Sequence, residues 1–240
     1  TAHIAIASMM LIGIVATFFA PEPQPNGNPP NSLREAVVDP LKEFFSRHGA
    51  WAILGFFLLY KIGDNMASSM NIPFILKMGF SKTDYFVIVK GLGMAALFGG
   101  MLLGGILMVK ISIRKALWAF GILQMVSTAC FALLTVTGTN HAVLSGIVSF
   151  ELLSTGLGAT AYATFMAYQT DTRFTATQYA LLSSVMAVPV NLASMFTGYM
   201  VKYQGWLSFY VTCALVAIPG LLLIQFVTKS QSPLKKEVQV

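Results

Sequence analysis

Long apolar runs recur along almost the whole chain, and they limit its fold more than any other feature. The runs lie near residues 2–20, 50–76, 85–108, 116–137, 143–167, 178–201 and 206–228. A helix of about 20 apolar residues is enough to cross the hydrocarbon core of a membrane. The runs are continuous, whereas the strands of a membrane β-barrel alternate apolar and polar residues. The pattern therefore predicts an all-α, polytopic membrane protein.

The composition supports this class and argues against several soluble ones. Charged residues make up 10% of the chain, against about 25% in a typical soluble domain. The net charge of +6 comes from basic residues dispersed between the apolar runs, so no nucleic-acid partner is predicted. Cys130 and Cys213 lie inside separate runs, as small apolar residues do, and His3, His48 and His141 are scattered. We therefore predict neither a metal site nor a cofactor.

Prolines separate the first run from the rest of the chain. Residues 21–30 contain five prolines, which exclude a helix there. The next segment predicts an amphipathic helix, at the membrane interface or against neighbouring loops, from the helical spacing of Leu33, Val37, Leu41, Phe44 and Phe45. We divide the chain into a span at 1–20, a linker at 21–49, a six-helix bundle at 50–228 and a basic tail at 229–240. Because Thr1 already lies inside an apolar run, we expect further residues before it.

The lysine and arginine residues predict which ends of the spans face the cytoplasm. Ten lie on one side of the predicted bundle, namely Arg34, Lys42, Arg47, Lys110, Arg114, Lys115, Arg173, Lys229, Lys235 and Lys236. Three lie on the other side, namely Lys77, Lys82 and Lys202. Cytoplasmic loops carry the excess of basic residues in membrane proteins. The linker and the C-terminus are therefore predicted to be cytoplasmic.

Four ionisable residues fall inside the spans, where a charge is costly. Lys61 and Asp64 lie in the middle of one run, and each raises the free energy of insertion by about 2.5–3.5 kcal/mol. They are three residues apart and share a helix face. Lys90 and Glu151 lie at depths that permit a cavity shared with them. Two interpretations remain open: an ion network that only locks the helices together, or a water-accessible pathway whose carboxylates carry protons or contact substrate.

Other residues in the spans are candidates for the pathway or for helix packing. Candidates to line the pathway are Tyr60, Asn65, Gln124 and Asn191. Single amides in spans also serve as interhelical hydrogen-bonding groups. Gly100 and Gly104 form a small-xxx-small pair, which predicts tight helix packing or, alternatively, a hinge. Pro189 and Pro219 lie well inside their runs and are predicted to kink them.

Several motifs resemble those of a known transporter family. The segment "GGILMVKISIRKA" (104–116) resembles the signature between the second and third helices of each half of a major facilitator transporter, with Val109 in place of Asp and Ser112 in place of Gly. More specific matches are to the AmpG-type muropeptide permeases of Gram-negative bacteria: "LYKIGDNMA" (59–67), "VKGLG" (89–93), "FGILQ" (120–124), "FELLSTGLGATAYATFMA" (150–167), "FTATQYALLSS" (174–184) and "VAIPGLLL" (216–223). The resemblance extends from about residue 16 to residue 228.

The resemblance implies both a fold and an activity. The chain would be the six-helix second half of a major facilitator transporter, preceded by the last helix of the first half at residues 1–20. Its relatives are proton-coupled carriers that import GlcNAc-anhydro-MurNAc peptides across the bacterial inner membrane, for peptidoglycan recycling and, in some bacteria, β-lactamase induction. The implied partners are this small glycopeptide, protons, membrane lipid and the N-terminal half of the same protein.

The resemblance also implies where the function lies. Proton coupling or contact with substrate is implied for Lys61, Asp64, Lys90 and Glu151. We also predict a cytoplasmic gate region at Gln169, Asp171, Arg173 and Gln178, although the segment Gln169, Thr170 and Asp171 departs from the family pattern. Leu152 stands where the family pattern has Asn, and this departure bears on substrate specificity.

Other functions remain open from the sequence. The family lies near acetyl-CoA transporters, so acetyl-CoA or a peptide is an alternative cargo. A membrane-embedded enzyme needs a nucleophile with its base, a metal cluster or an acidic pair at a membrane face, and the sequence shows none of these patterns. A structural membrane subunit without cargo would have no use for the internal charges.

Overall fold

The computed structural model describes residues 2–19, 32–171 and 175–229. In these ranges the chain is helical and contains no strand, so the all-α prediction is confirmed. The α-helices are α1 (Ala2–Phe19), α2 (Leu33–Ser46), α3 (Ala50–Leu59), α4 (Ile62–Lys77), α5 (Lys82–Tyr85), α6 (Gly93–Lys110), α7 (Ile113–Thr137), α8 (His141–Tyr168), α9 (Thr175–Val216) and α10 (Ile218–Lys229). A π-helical segment, Phe86–Leu92, joins α5 to α6.

Four stretches of the described chain are long and apolar enough to cross a membrane. They are Lys82–Lys110, Ile113–Thr137, His141–Tyr168 and Asn191–Val227. The run at 50–76 differs from its prediction as one continuous span, because Tyr60 and Lys61 divide it into α3 and α4. α9 covers one predicted run and the start of the next, with its interruption at Gly205 (φ 76°, ψ 170°) between them. The chain breaks again at Ala217, two residues before Pro219.

Short turns with suitable capping residues join the long helices. Gly138 ends α7 with a φ of 64°, a conformation that glycine adopts without steric cost. Asn140 then caps α8, since its Oδ1 accepts hydrogen bonds from the backbone N–H groups of Ala142 and Val143 at 3.0 and 3.2 Å. The short connection makes α7 and α8 packed neighbours.

Helices α2 to α10 pack into one bundle with two apolar clusters. α8 packs against α6 and α7, α9 packs against α4 and α7, and α10 packs against α3. One cluster surrounds Phe56, Phe165 and Leu117, and the other surrounds Phe74 and Phe131. Buried aromatic pairs join the helices in both clusters. The polar residues of the predicted site lie between these two clusters along the bundle.

α6 and α8 approach each other through glycine. A Cβ added at Gly100 would collide with the backbone carbonyl of Leu153, and one at Gly156 would collide with that of Leu97. Gly104 is also buried, against Leu157 and Thr160. The small-xxx-small pair is therefore a packing contact between two helices, as membrane helices use it.

α2 lies against the bundle as a continuous amphipathic helix, and Pro40 does not interrupt it. Ser32 caps its start, with Oγ accepting the hydrogen bond from the Glu35 N–H at 3.2 Å. Phe44 is buried in the first apolar cluster. On the other side Phe45 stays exposed and its ring contacts the exposed ring of Trp51, with the centroids 5.3 Å apart. This pair is typical of aromatic side chains at a membrane interface.

Candidate functional site

The break between α3 and α4 positions the first charged pair of the predicted site. α3 ends at Leu59 and α4 begins at Ile62, so Lys61 lies at the start of a new helix, with φ −103° and ψ −1°. Asp64 follows in the first turn of α4, where the helix dipole favours a negative charge. A helix start in the middle of an apolar run thus gives the carboxylate a favourable site that an unbroken helix would not supply.

A second break, between α9 and α10, lies beside the first. A Cβ on Gly63 would collide with the carbonyl oxygen of Cys213, and a Cβ on Gly220 would collide with the backbone of Tyr60. The two broken helices therefore touch backbone to backbone at their interruptions. Irregular backbone at this depth in a membrane protein is tolerated only where protein buries it or a cavity contacts it.

Lys61 is the centre of a hydrogen-bonded chain across three helices. Its Nζ lies 3.4 Å from Asp64 Oδ2 and donates to Gln124 Oε1 at 3.0 Å. Gln124 Nε2 in turn donates to Thr155 Oγ1 on α8 at 3.1 Å. The Lys61 and Asp64 side chains are only 14% and 10% exposed. The amide of Gln124 thus links the ion pair to α8 by interhelical hydrogen bonds, the alternative that the sequence left open beside a pathway role.

Glu151 completes the group of charges. It is 2% exposed and lies one helical turn before Thr155. Its carboxyl group lies close enough to Lys61 and Asp64 to interact electrostatically with both, and Asp64 Oδ1 is buried without a hydrogen-bond partner among the described residues. Ionised carboxylates only accept hydrogen bonds, so Asp64 and Glu151 can bond to each other only by sharing a proton. One amine therefore faces two carboxyl groups, and we call Lys61, Asp64, Gln124 and Glu151 the polar cluster.

A small cavity adjoins the polar cluster. Its polar lining comes from Tyr60, Asp64, Gln124 and Thr128, and its apolar lining from Gly121, Met125, Cys213, Ala214, Ala217 and Leu221. It has room for about one water molecule. The cavity lies inside this bundle, and its lining includes residues of both apolar clusters.

Lys90 stands apart from the polar cluster within this bundle, and its predicted place on the pathway stays a prediction. Its side chain is exposed on the π-helical segment. The reason is the helix type: the Gly93 N–H bonds to the Ile88 carbonyl, five residues back. In a regular α-helix Val89 or Lys90 would lie one turn before the buried Gly93, but here Ile88 takes that place. The π segment thus turns the amine away from the interior.

The structure places the remaining predicted pathway residues in different surroundings. Tyr60 belongs to the apolar core, where its hydroxyl donates to the Leu117 carbonyl at 3.0 Å and its ring stacks on Tyr162. Asn65 is partly buried, and Asn191 is exposed on α9. The roles suggested for these residues stay predictions.

Three of the four predicted gate residues lie together at the other end of α8. The Asp171 N–H donates to Gln178 Oε1 at 2.7 Å, and the Gln169 carbonyl accepts a hydrogen bond from Arg47 Nη1 at 2.5 Å. Arg173 lies outside the described residues. Arg47 and Glu43 also belong to this group but were not predicted, although their spacing of four residues on α2 is a readable signal for an ion pair.

Thr155 is a further residue that the sequence analysis missed. It follows Glu151 by four residues, so both face the same side of α8. The signal was present in the spacing, but threonine in a helix commonly bonds back to its own helix. Only the position of Gln124 on α7 reveals its partner.

Replacing Gln124 by Leu tests the polar cluster as a bonded unit. We expect the free energy of unfolding to fall by about 1.5–3 kcal/mol, because the buried amine of Lys61 loses its amide acceptor. The measurement is thermal unfolding of the purified intact protein in detergent. Gln225→Leu, at an exposed position of α10, is the matched control. Equal melting temperatures of the two variants would contradict the prediction.

Comparison with known proteins places the chain in a family. The family profile of the Major Facilitator Superfamily matches residues 1–192. The chain is similar to the anhydromuropeptide permease of Escherichia coli (strain K12), with 39% identity over 220 residues that cover 91% of this chain and 45% of the permease. It is also similar to an uncharacterized protein of Haemophilus influenzae, with 36% identity covering 99% of this chain and 58% of that protein. The putative transporter AmpG 4 of Rickettsia felis is 31% identical over 81% of this chain and 47% of its own length.

The chain thus spans about half the length of the curated relatives it matches. These proteins are named as permeases or transporters where they carry a functional name. The helical bundle, its apolar spans and the matched profile agree with one another. The chain is a multi-pass membrane protein that belongs to the major facilitator superfamily.

Proposed function

We propose that this chain is the second half of a proton-coupled transporter that imports anhydromuropeptides across the bacterial inner membrane by alternating access. The observation that carries the proposal is the 39% identity to the anhydromuropeptide permease of Escherichia coli over 91% of this chain. The buried polar cluster gives the proposal its chemistry, since ionisable groups inside membrane spans mark ion and proton pathways. In this reading the protein moves its cargo without chemical change and needs no cofactor.

The proposed architecture follows the family. Residues 1–20 would be the last helix of the first half, 21–49 the cytoplasmic linker, 50–228 the second bundle and 229–240 a cytoplasmic tail. The exposure of every described side chain on α1 from Met10 to Phe19 supports this division, since such an apolar helix is stable only against lipid or other helices. The excess of basic residues on the linker side supports a cytoplasmic C-terminus.

The proposed coupling step depends on the numbers of acidic and basic groups in the polar cluster, which has two carboxyl groups and one amine. When Asp64 and Glu151 share one proton, the remaining negative charge is neutralised by Lys61, and the cluster is neutral. When the proton leaves, two carboxylates face one amine in a largely apolar interior, and the excess charge is costly. Uptake of a proton from the outer side would therefore stabilise one packing of the broken helices, and its release to the cytoplasm would favour the other. The proton would enter through the cavity beside Asp64.

The exposed polar residues of the spans would contact the cargo. An amine facing lipid at the depth of Lys90 would be costly, so Lys90 is expected to face the passage between the two halves. The same reasoning applies to Asn191 on α9. The carboxylate groups of the glycopeptide cargo would bind to Lys90, and its hydroxyl and amide groups would bind to Asn191. Asn65 would lie along the same route, and Gln169, Asp171, Arg173 and Gln178 would form a cytoplasmic gate region that does not bind the cargo.

The test is transport by the intact protein, with both halves, in liposomes. We expect labelled GlcNAc-anhydro-MurNAc peptide to accumulate when the lumen is more alkaline than the outside, and a protonophore to abolish the accumulation. Labelled acetyl-CoA and a labelled free peptide are assayed in parallel. Accumulation of one of these in place of the glycopeptide would overturn the proposed cargo, and absence of proton-driven uptake for all three would overturn the proposed function.

A further inference from the structure

The linker helix α2 is joined to the turn between α8 and α9 by a buried polar contact. Its centre is Gln178, in the first turn of α9, which is 1% exposed. Glu43 and Arg47 approach it from α2, and Gln169 and Asp171 from the end of α8. We call Glu43, Arg47 and Gln178 the α2 latch. The residues of the latch come from parts of the chain that are 135 residues apart.

The side-chain amide of Gln178 both donates and accepts hydrogen bonds. Its Nε2 donates to Glu43 Oε2 at 2.6 Å and to the Pro40 carbonyl at 3.1 Å. Its Oε1 accepts from the Asp171 N–H at 2.7 Å and from Arg47 Nη2 at 3.4 Å. A buried group that both donates and accepts needs an amide, because a carboxylate only accepts. Gln178 therefore bonds α2 and the α8–α9 turn at the same time.

Glu43 and Arg47 form an ion pair within α2, four residues apart. The guanidinium donates to the Glu43 carboxylate from Nε at 2.7 Å and from Nη2 at 2.6 Å, in bidentate geometry. Its Nη1 is left to donate to the Gln169 carbonyl at the end of α8. The pair is about one quarter exposed, which places it under the surface. The buried ring of Phe44 on the same face of α2 adds an apolar contact.

We propose that the α2 latch fastens the linker helix to the second bundle, so that α2 moves with this bundle as one body and holds the α8–α9 turn in position during transport. Glu43, Arg47 and Gln178 are positioning residues in this scheme. The positioning role during transport rests on the proposed transport function, whereas the attachment of α2 to the bundle does not. A linker that only connected the two halves would not need the side chains of Glu43, Arg47 and Gln178.

Hydrogen exchange of α2 in the intact protein tests the attachment without any cargo. In Gln178→Leu we expect the backbone amides of α2 to exchange at least about tenfold faster, because charge-assisted hydrogen bonds are lost. In Gln178→Glu the new carboxylate faces Glu43, and we expect a similar increase. Tyr179→Phe, the neighbouring residue on the exposed side of α9, is the control and should leave the exchange unchanged.

A double variant that transposes two side chains distinguishes the loss of these specific hydrogen bonds from a general loss of stability. The double variant Glu43→Gln with Gln178→Glu transposes the amide and the carboxylate, and Arg47 can bond to the carboxylate in its new place. We expect it to recover protection of α2 relative to Gln178→Glu alone. Unchanged exchange of α2 in Gln178→Leu, or no recovery in the double variant, would overturn the latch.

Uptake by the same variants tests the positioning role. We expect the maximal rate of uptake to fall about tenfold or more in Gln178→Glu, with little change in the apparent KM, because the latch lies away from the polar cluster, and to recover in the double variant. Faster exchange of α2 with an unaltered maximal rate would overturn the positioning role. If the wild-type protein carried no glycopeptide, the proposed cargo would fail, and the exchange measurements would still decide the latch.

Discussion

Asp64→Asn and Glu151→Gln, each made in the intact transporter, are expected to abolish proton-driven accumulation of cargo. Each variant removes one of the two carboxyl groups near Lys61, which in the proposed coupling step share a proton. We expect accumulation to fall by about 100-fold or more, because the carboxamide that replaces the carboxyl group cannot take up and release the proton that drives accumulation. The measurement is uptake of labelled glycopeptide into liposomes at several imposed pH gradients.

Exchange of labelled for unlabelled cargo distinguishes loss of coupling from loss of the protein. Exchange moves no net proton, so Glu151→Gln is expected to retain it while losing its response to the pH gradient. The double variant Lys61→Met with Asp64→Leu removes both partners of the ion pair, and we expect it to fold without restoring accumulation. Glu35→Gln, an exposed acid on α2, is the control and should accumulate cargo normally. Wild-type accumulation with an intact pH response in both single variants would contradict the coupling role.

Gly100→Ala is expected to destabilise the bundle strongly for so small a change. The added Cβ would collide with the backbone carbonyl of Leu153 on α8, and neither main chain can rotate away as a side chain would. Overpacking of this kind costs about 1–3 kcal/mol, against a helix propensity that favours alanine over glycine by about 1 kcal/mol. The measurement is the apparent melting temperature of the purified intact protein in detergent.

The neighbouring glycines of α6 are matched controls for this prediction. A Cβ on Gly99 or on Gly105 would meet no other atom within 4 Å. Gly99→Ala and Gly105→Ala are therefore expected to melt at or slightly above the wild-type temperature. Equal melting temperatures for Gly100→Ala and Gly99→Ala would show that α6 and α8 do not need glycine at their crossing.

Most of the fold was predictable because few backbone conformations are stable inside a membrane. Backbone polar groups must be satisfied within each span, so long apolar runs become helices. The runs at 85–108, 116–137 and 143–167 accordingly lie in the long helices of the structure. The break at Tyr60 and Lys61 was not predictable in the same way, since neither residue is a glycine or a proline. It depends on packing against the second break at Ala217, which is far away in sequence.

The candidate site was predictable in part for an energetic reason. Lys61, Asp64 and Glu151 could be singled out because each is costly within a span, and the structure brings these three together. Lys90 carries the same cost, but the sequence contains no mark of the π-helical segment that turns it outward. Helical spacing assumes 3.6 residues per turn, and it fails where the helix type changes.

The sequence by itself determined that this chain is an all-helical membrane protein with charges inside its spans, because hydropathy and charge are properties of each residue in its own segment. The tertiary structure alone decided which charges meet, since Lys61, Gln124 and Glu151 lie on different helices. It also decided that α2 is bonded to α9 through Gln178. Contacts between distant segments depend on the depth, rotation and helix type of each helix, and these are set by packing of the whole bundle.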